Sequence, residues 1–270
     1  MKFHTFAIGC ALSLALFLFA QRPQPAAPQT SMGAIFDLTH AVDPSAPDYG
    51  AGKSPFAAED VAQFDKDGYY ARRISVPEHF STHLDAPAHF VKGAWTVEQI
   101  PPQRLTGPLV VLDVTAKAEK NDDYEIGLDD VAGWEKQHGE IPAGAIVVAR
   151  TGWAARWDSA PSYRNADKSG KLHFPGYSAK AAQFLVESRN VAALGIDTLS
   201  VDPGPSQDFP VHHYTAKHNV YHLENVANLS LLPASGATAV VAPMKLTGGS
   251  GSPVRIFAFV RDQRAEAARR

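Results

Sequence analysis

Twelve consecutive residues, 79–90, hold three histidines and an aspartate. The four polar side chains all occupy odd positions: His79, His83, Asp85 and His89. Alternate residues of an extended backbone share a face, so a strand would direct all four groups the same way. A helix would carry Asp85 and His89 round to another side, and Pro87 interrupts a helix here. The spacing predicts a strand that runs into a loop at 85–87.

Imidazole and carboxylate groups together suit a divalent metal such as zinc or manganese. Catalytic metal sites use such mixed ligands and keep one position open for water. A single histidine more commonly forms local hydrogen bonds, but four groups that converge on one face favour a metal. The sequence therefore predicts a metal site in this stretch.

A second group of histidines lies in the stretch that leads to Glu224. Its members are His212, His213, His218 and His222. Phe209 and Pro210 are typical of a helix start, and Asn219 is typical of a helix end. Residues 220–223 then form a predicted strand that ends at Glu224. A histidine of this helix and the Glu224 carboxylate could therefore meet the first cluster in the folded protein.

Aromatic residues accompany both clusters and could line a pocket for a flat ring. The candidates are Phe90, Trp95, Trp153 and Phe209. The alternative for each of them is an ordinary place in the core. We hypothesise that at least two of the four line the pocket.

The composition is typical of a soluble globular protein, with 45% hydrophobic and 20% charged residues among 270. The formal net charge of −3 gives no basic surface for nucleic acid. The sequence has no glycine-rich dinucleotide fingerprint, no phosphate loop and no Gly-x-Ser-x-Gly elbow. The single cysteine, Cys10, excludes a disulfide within the chain.

The N-terminus predicts export. Residues 1–20 combine an early lysine with an apolar run from Phe6 to Ala20, which is typical of a signal peptide and short for a membrane span. Residues 21–32 are a proline-rich leader. We expect a bacterial periplasmic protein with no membrane association after signal removal, and an uncleaved anchor is the alternative. One domain is predicted at 33–263, followed by a charged tail at 264–270.

Apolar strand patterns alternate with helical patterns, which predicts an α/β fold. Strands are predicted at 34–40, 69–76, 108–114, 145–149, 191–197, 220–223, 238–246 and 254–261. Helices are predicted at 128–138, from a cap at Ser178 to about 188, and from 209 to 219. Residues 42–68 predict a long loop that could cover a site, and 248–253 predict a flexible turn.

The stretch 79–90 resembles the signature of the cyclase family of metal-dependent hydrolases, typified by bacterial kynurenine formamidase. The family pattern reads His-x-Gly-Thr-His-x-Asp-x-Pro-x-His. This chain departs from it once, because Ser81 stands at the glycine position. Similar blocks follow the family's order at 37–40, 150–153, 174–178, 195–202 and 251–255, so the resemblance covers most of the chain after the leader.

The resemblance implies a two-metal site, and the histidine and carboxylate ligands predict zinc or manganese at one or two ions per chain. The matching ligand residues are His79, His83, Asp85, His212 and Glu224. Asp85 matches the ligand that bridges the two ions, and His213 is the alternative to His212 because a single gap would exchange them. His89 matches the catalytic histidine. The family fold is α/β of the swivelling β/β/α type, a mixed barrel-like sheet with flanking helices, in homodimers or tetramers.

The implied activity is hydrolysis of a C–N amide bond in a small aromatic substrate by metal-activated water, with His89 as acid and base. One substrate class is an N-formyl aryl amine, as for an arylformamidase. The other is a cyclic amide such as isatin. Export argues against the first class, because tryptophan breakdown is usually cytoplasmic. A non-catalytic periplasmic metal-binding protein is a third hypothesis.

Overall fold

The computed structural model describes residues 33–50 and 52–260. The predicted signal peptide (1–20), leader (21–32) and tail (264–270) lie outside these residues. In the described part of the chain, no helix is both long enough and apolar enough to span a membrane.

The strands and helices alternate along the chain. The strands are β1 Ala34–Asp37, β2 Ala57–Ala62, β3 Ala71–Ser75, β4 His83–Asp85, β5 Thr106–Asp113, β6 Glu125–Ile126, β7 Ile146–Arg150, β8 Gly176–Tyr177, β9 Ala193–Ile196, β10 Tyr221–Glu224, β11 Ala237–Pro243 and β12 Gly251–Val260. The helices are α1 Phe64–Asp67, α2 Thr115–Ala118, α3 Leu128–His138, α4 Ala160–Arg164, α5 Ala179–Arg189 and α6 Pro210–Lys217.

Seven strands close into a mixed barrel in the order β12, β11, β5, β7, β9, β10, β4 and back to β12. Neighbours from β5 to β10 run parallel and the other pairs run antiparallel. The long strand β12 closes the ring, because it pairs with β11 along one edge and, through Gly251 and Asp85, with β4 along the other. Further along, the same edge that meets β4 pairs with β1, which lies outside the ring. The predicted α/β class with a barrel-like mixed sheet and flanking helices is confirmed.

The apolar runs of the parallel strands are buried on both faces, as expected for parallel sheets covered by helices. In β5 and β7, Val111 and Val148 join the cluster inside the barrel. Their neighbours Leu112 and Val147 join a second cluster that includes residues of α3 and α5. In β10, Leu223 belongs to the inner cluster, so His222 and Glu224 face outward on the side of α6.

The helix predictions hold because their end signals are strong. Helix α3 matches the predicted bounds, and Gly139 follows it with a positive φ of 88°, which glycine adopts without steric cost. Ser178 caps α5 by accepting a hydrogen bond from the backbone N–H of Ala181. Helix α6 begins at Pro210, where the missing N–H of proline costs nothing.

The region before the signature was predicted incorrectly. Residues 42–68 are not one long loop, because β2 and α1 lie within them. The predicted strand at 69–76 is present as β3, but it pairs with β2 as a separate two-stranded hairpin instead of leading His79 into the barrel sheet. Strand β2 is largely exposed and carries charged residues, so it lacks the apolar alternation that identifies a strand. The predicted turn at 248–253 is shorter, because β12 already begins at Gly251.

Candidate metal centre

Asp85 is the point at which three histidines meet. The distance from Asp85 Oδ1 is 2.6 Å to His79 Nδ1 and 3.1 Å to His83 Nε2, and Oδ2 lies 3.2 Å from His212 Nε2. Glu224 joins the group, with Oε2 3.3 Å from His83 Nε2 and Oε1 3.3 Å from His212 Nε2. His79, His83 and Asp85 form a cluster that could hold a metal ion. All five predicted ligand residues therefore meet at one place.

Strand pairing and one helix bring these residues together. Strands β4 and β10 place His83 opposite Glu224 and Asp85 opposite His222. Helix α6 packs over this face and brings His212 from its first turn. His212 is buried at the carboxylates, whereas the next residue, His213, is exposed and lies edge-on to Phe90. The structure thus separates the two alternatives and places His212 in the cluster.

His79 reaches the cluster through a turn, and the predicted extended backbone from 79 to 85 is wrong. Ser81 has φ 58°, a left-handed conformation, and the strand begins only at His83. The carbonyl of Ser81 accepts hydrogen bonds from His83 Nδ1 at 2.9 Å and from Asn225 Nδ2 at 2.8 Å. These bonds hold a backbone turn that glycine, the family residue, would adopt more easily.

The nitrogen of each histidine that faces away from Asp85 has its own hydrogen-bond partner. His79 Nε2 lies 3.0 Å from Ser250 Oγ, and His83 Nδ1 faces the Ser81 carbonyl. His212 Nδ1 lies 2.6 Å from the carboxylate of Asp202. Such partners fix the tautomer and the orientation of metal-binding histidines. The second nitrogen of each ring therefore keeps a lone pair that can bind a metal. Together with the carboxylate oxygens, these nitrogens form a ligand set that fits zinc or manganese.

The electrostatics of the cluster favour a cation. Burial alone opposes charge on these groups, but the neighbouring carboxylates of Asp85 and Glu224 outweigh it and raise the pKa of His83 to about 10. Burial and Asp85 raise the pKa of Glu224, yet hydrogen bonds from His212 and His83 bring it down to about 2. The buried carboxylates therefore attract positive charge, which a divalent ion supplies as it displaces the histidine protons.

His89 stands beside the cluster without joining it. Its ring stacks on His79 with centroids 3.9 Å apart and an angle of 26°, and its centroid lies 6.5 Å from that of His212. Part of the ring is open to a cavity. Partial burial lowers the pKa of His89 below its usual value of 6.5. A neutral imidazole in this position can accept a proton near neutral pH.

The cavity above the cluster has a volume of about 260 Å³. Phe90 and Phe209 line it, and their ring centroids are 5.6 Å apart. The Phe90 ring also lies 4.4 Å from the His212 ring, next to the carboxylates. Two of the four predicted aromatic residues thus form walls directly beside the candidate ligands.

Trp95 and Trp153 were predicted as pocket residues, and both lie elsewhere. Trp153 is 2% exposed and packs with Tyr163, Phe174 and other residues of a small core cluster, where its indole N–H donates to the Tyr163 carbonyl at 2.7 Å. Trp95 is partly buried against the cluster inside the barrel. Their size makes both of them useful for filling core volume, which a sequence cannot distinguish from lining a pocket.

Sequence reasoning missed several residues that line the cavity. Tyr49 belongs to the segment predicted as a loop, and Ser200 and Asn225 follow strands β9 and β10. His222 is a further residue of the site, beside the cluster and not on the cavity wall. The sequence marks it only as one of four histidines before Glu224, yet its ring lies 4.5 Å from that of His212. Its opposition to Asp85 across β4 and β10 would have identified it, but the strand register cannot be read from the sequence.

Comparisons with known proteins identify similar sequences along most of this chain. The Cyclase family matches residues 36–203. The isatin hydrolase of Roseibium aggregatum is 32% identical over 242 residues, which are 84% of this chain and 91% of that protein. The kynurenine formamidase of Bacillus cytotoxicus is 27% identical over 205 residues, which are 76% of this chain and 87% of that protein.

Solved structures show the same relationship. A crystal structure of an isatin hydrolase bound to the product analogue thioisatinate shares 31% identity with this chain and superimposes with a TM-score of 0.79. The superposition covers 84% of this chain and 92% of that one. The structure of a potential metal-dependent hydrolase with cyclase activity also matches, at 26% identity and a TM-score of 0.65. The chain therefore belongs to the cyclase family of metal-dependent hydrolases.

Proposed function

We propose that this protein hydrolyses the C–N bond of a small aromatic cyclic amide of the isatin type. The observation that carries the proposal is the cavity, in which two phenylalanine rings stand beside a buried histidine and carboxylate cluster. The stronger match to an isatin hydrolase (32%) than to a kynurenine formamidase (27%) supports a cyclic amide over an N-formyl aryl amine.

The residues of the cavity have distinct tasks in this reaction. A divalent ion held by His79, His83, Asp85, His212 and Glu224 would supply an activated water and polarise the amide carbonyl. His89 accepts a proton at its open edge and returns it to the leaving nitrogen. Phe90 and Phe209 pack against the flat ring of the substrate and hold its amide beside the activated water.

An N-formyl aryl amine is the second candidate substrate. The kynurenine formamidases align over 76% of this chain, and an open-chain aryl amide requires the same activated water and the same proton transfer. The two substrate classes differ in whether the leaving nitrogen stays attached to the acid that hydrolysis forms. A cyclic amide gives one product that keeps both groups, whereas the formyl substrate releases a separate amine.

Hydrolysis of isatin and of N-formylkynurenine, measured side by side with metal-loaded protein, tests the proposal. We expect turnover of isatin at the higher kcat/KM. The variant His89→Ala should keep its metal and lose about 10²-fold to 10⁴-fold in kcat. Faster turnover of N-formylkynurenine would assign the arylformamidase activity instead. Bound metal without turnover of any aryl amide would favour a metal-binding protein.

The remaining properties are proposals as well. We propose that the ion is zinc or manganese, at one or two per chain, because nitrogen and carboxylate donors suit both. We propose export to the periplasm, on the signal-like residues 1–20. We also propose a homodimer or tetramer, as the family implies. Metal analysis, fractionation of cells and light scattering of the mature protein test these three proposals.

A further inference from the structure

His222 is a fourth buried histidine at the metal centre, outside the ligand set that the family implies. It lies on β10 opposite Asp85, and its residue is 2% exposed. Its ring centroid is 4.5 Å from that of His212, at an angle of 75°. A polar ring in so buried a place normally has partners for both nitrogens.

One nitrogen of His222 has a defined partner. Nε2 lies 2.6 Å from Oγ1 of Thr215 on α6. The Thr215 hydroxyl has a single proton, and the carbonyls of Val211 at 2.8 Å and His212 at 3.2 Å both accept from it. Because that proton is directed to a carbonyl, Oγ1 accepts from His222, and Nε2 carries the hydrogen.

The other nitrogen of His222 is therefore an unprotonated acceptor. Among the described residues, Nδ1 finds no hydrogen-bond partner. A nitrogen of His222 and the ligand atoms of Asp85 and His212 all lie within 4.8 Å of one another, and this group could hold a metal ion. Since Nε2 carries its hydrogen toward Thr215, Nδ1 is the nitrogen of this ring that has a lone pair to offer such a group.

We propose that His222 Nδ1 is a ligand of the ion that Asp85 and His212 hold. His222 follows the same rule as His79, His83 and His212: one nitrogen is fixed by a hydrogen bond, which leaves the lone pair on the other nitrogen. A purely structural role does not explain the free nitrogen, because an apolar side chain would fill this buried place without an unpaired acceptor.

The added nitrogen has a consequence for metal choice. Without His222, the ion between Asp85, His212 and Glu224 has two carboxylates and one imidazole. With His222, the donor set gains a second imidazole, which shifts the preference from manganese toward zinc and cobalt. His222 would therefore set which ion this half of the centre selects.

The test is titration of metal-free mature protein with Zn²⁺ and Co²⁺, without substrate, so that its result is independent of the proposed amidase activity. The variant is His222→Leu, and the matched control is His218→Leu, an exposed histidine of the same region whose Nδ1 faces the Tyr214 carbonyl. We expect His222→Leu to weaken binding of one ion by at least about 10-fold and to alter the Co²⁺ absorption spectrum. The control should match the parent protein.

Circular dichroism of the metal-free protein shows whether His222→Leu folds. If it does not fold, a pair of amide variants still tests the proposal. The side chain of His222→Asn places its amide close to the position of Nδ1, whereas that of His222→Gln reaches the position of Nε2. A ligand role predicts that the Asn variant binds the ion more tightly than the Gln variant. Equal affinity of the two amides, or an unchanged affinity and Co²⁺ spectrum in folded His222→Leu, would overturn the proposal.

Discussion

Ser81 shows how one residue shapes the site. Its φ of 58° lies in the left-handed region, which costs non-glycine residues about 1–2 kcal/mol. The turn persists because its carbonyl holds His83 and Asn225. The strained turn brings His79 back to Asp85, so the free energy spent on this backbone conformation supports the geometry of the centre.

Two substitutions at this position test the strain. We expect Ser81→Gly to have a free energy of unfolding about 1 kcal/mol higher than Ser81→Ala, because glycine adopts this backbone conformation without a steric cost. Both variants lose the same hydroxyl contact with the Ala41 carbonyl, so the difference isolates the backbone. Urea unfolding of the metal-free variants measures it. An alanine variant as stable as the glycine variant would contradict the assignment of strain.

His40 predicts how stability depends on pH. Its ring stacks on Trp157 with centroids 3.8 Å apart, and burial lowers its pKa from 6.5 to about 4, although Asp158 opposes the shift. The pKa is thus lower in the folded chain than in the unfolded chain. The unfolded chain therefore binds the proton more readily, and stability falls as the pH drops from about 6.5 toward about 4.

The variant His40→Phe keeps the stacked ring and removes the proton site. Between pH 7.5 and pH 5, we expect the parent protein to lose about 1–2 kcal/mol more unfolding free energy than the variant, after allowing for partial exposure of the ring. Urea unfolding of metal-free protein at both pH values measures the difference. Equal losses in the two proteins would show that His40 is not the responsible group.

At the scale of elements, α6 and the β4 and β10 pair carry the centre together. Asp202 connects them, because it accepts hydrogen bonds from the backbone N–H groups of Val211 and His212 and also faces His212 Nδ1. It therefore anchors the start of the helix and orients its metal-binding ring at once. This arrangement makes the position of His212 depend on a residue ten places earlier in the chain.

The variant Asp202→Asn separates the two roles of this residue. An amide oxygen can still accept from the backbone, but the negative charge behind the imidazole is lost. We expect metal affinity to fall by about 10-fold to 100-fold while the helix content remains. Isothermal titration and circular dichroism measure the two properties. Unchanged affinity would mean that the carboxylate does not tune His212.

The sequence predicted the elements that have clear capping residues or a strongly apolar composition. Helix α3 was bounded by Gly139 and α5 by Ser178, and the apolar strands β5, β7 and β9 follow from their composition. Strand β3 lies within the strand predicted at 69–76, whereas its partner β2 was missed because an exposed charged strand carries no apolar period. Residue type and spacing predicted His79, His83 and Asp85, and the family resemblance added His212 and Glu224. The role of His222 and the positions of the two tryptophans depend on register and packing.

At the scale of the whole molecule, the centre lies where distant parts of the chain meet. Its residues come from the turn at 79–81, from β4, from the first turn of α6 and from the end of β10. The barrel places these parts side by side, and no single segment contains the site. An ion bound there therefore stabilises the folded chain, because the unfolded chain cannot hold all the ligands together.

This linkage predicts a rise in stability with metal. At a free ion concentration of 100 times the Kd, one bound ion adds about 2.7 kcal/mol to the free energy of unfolding. Thermal unfolding with and without Zn²⁺ measures the effect, and Asp85→Asn should abolish most of it. A metal-independent melting temperature in the parent protein would contradict a centre that joins these elements.

The central claim is that the cluster around Asp85 holds the ion that drives opening of a cyclic aromatic amide. The most direct measurement is kcat/KM for isatin with chelator-treated protein, before and after Zn²⁺ or Mn²⁺ is restored, in the parent and in Asp85→Asn. We predict that activity is lost on chelation, returns with the ion in the parent, and stays absent in the variant. Undiminished hydrolysis by the chelated protein, or full activity in Asp85→Asn, would contradict the account.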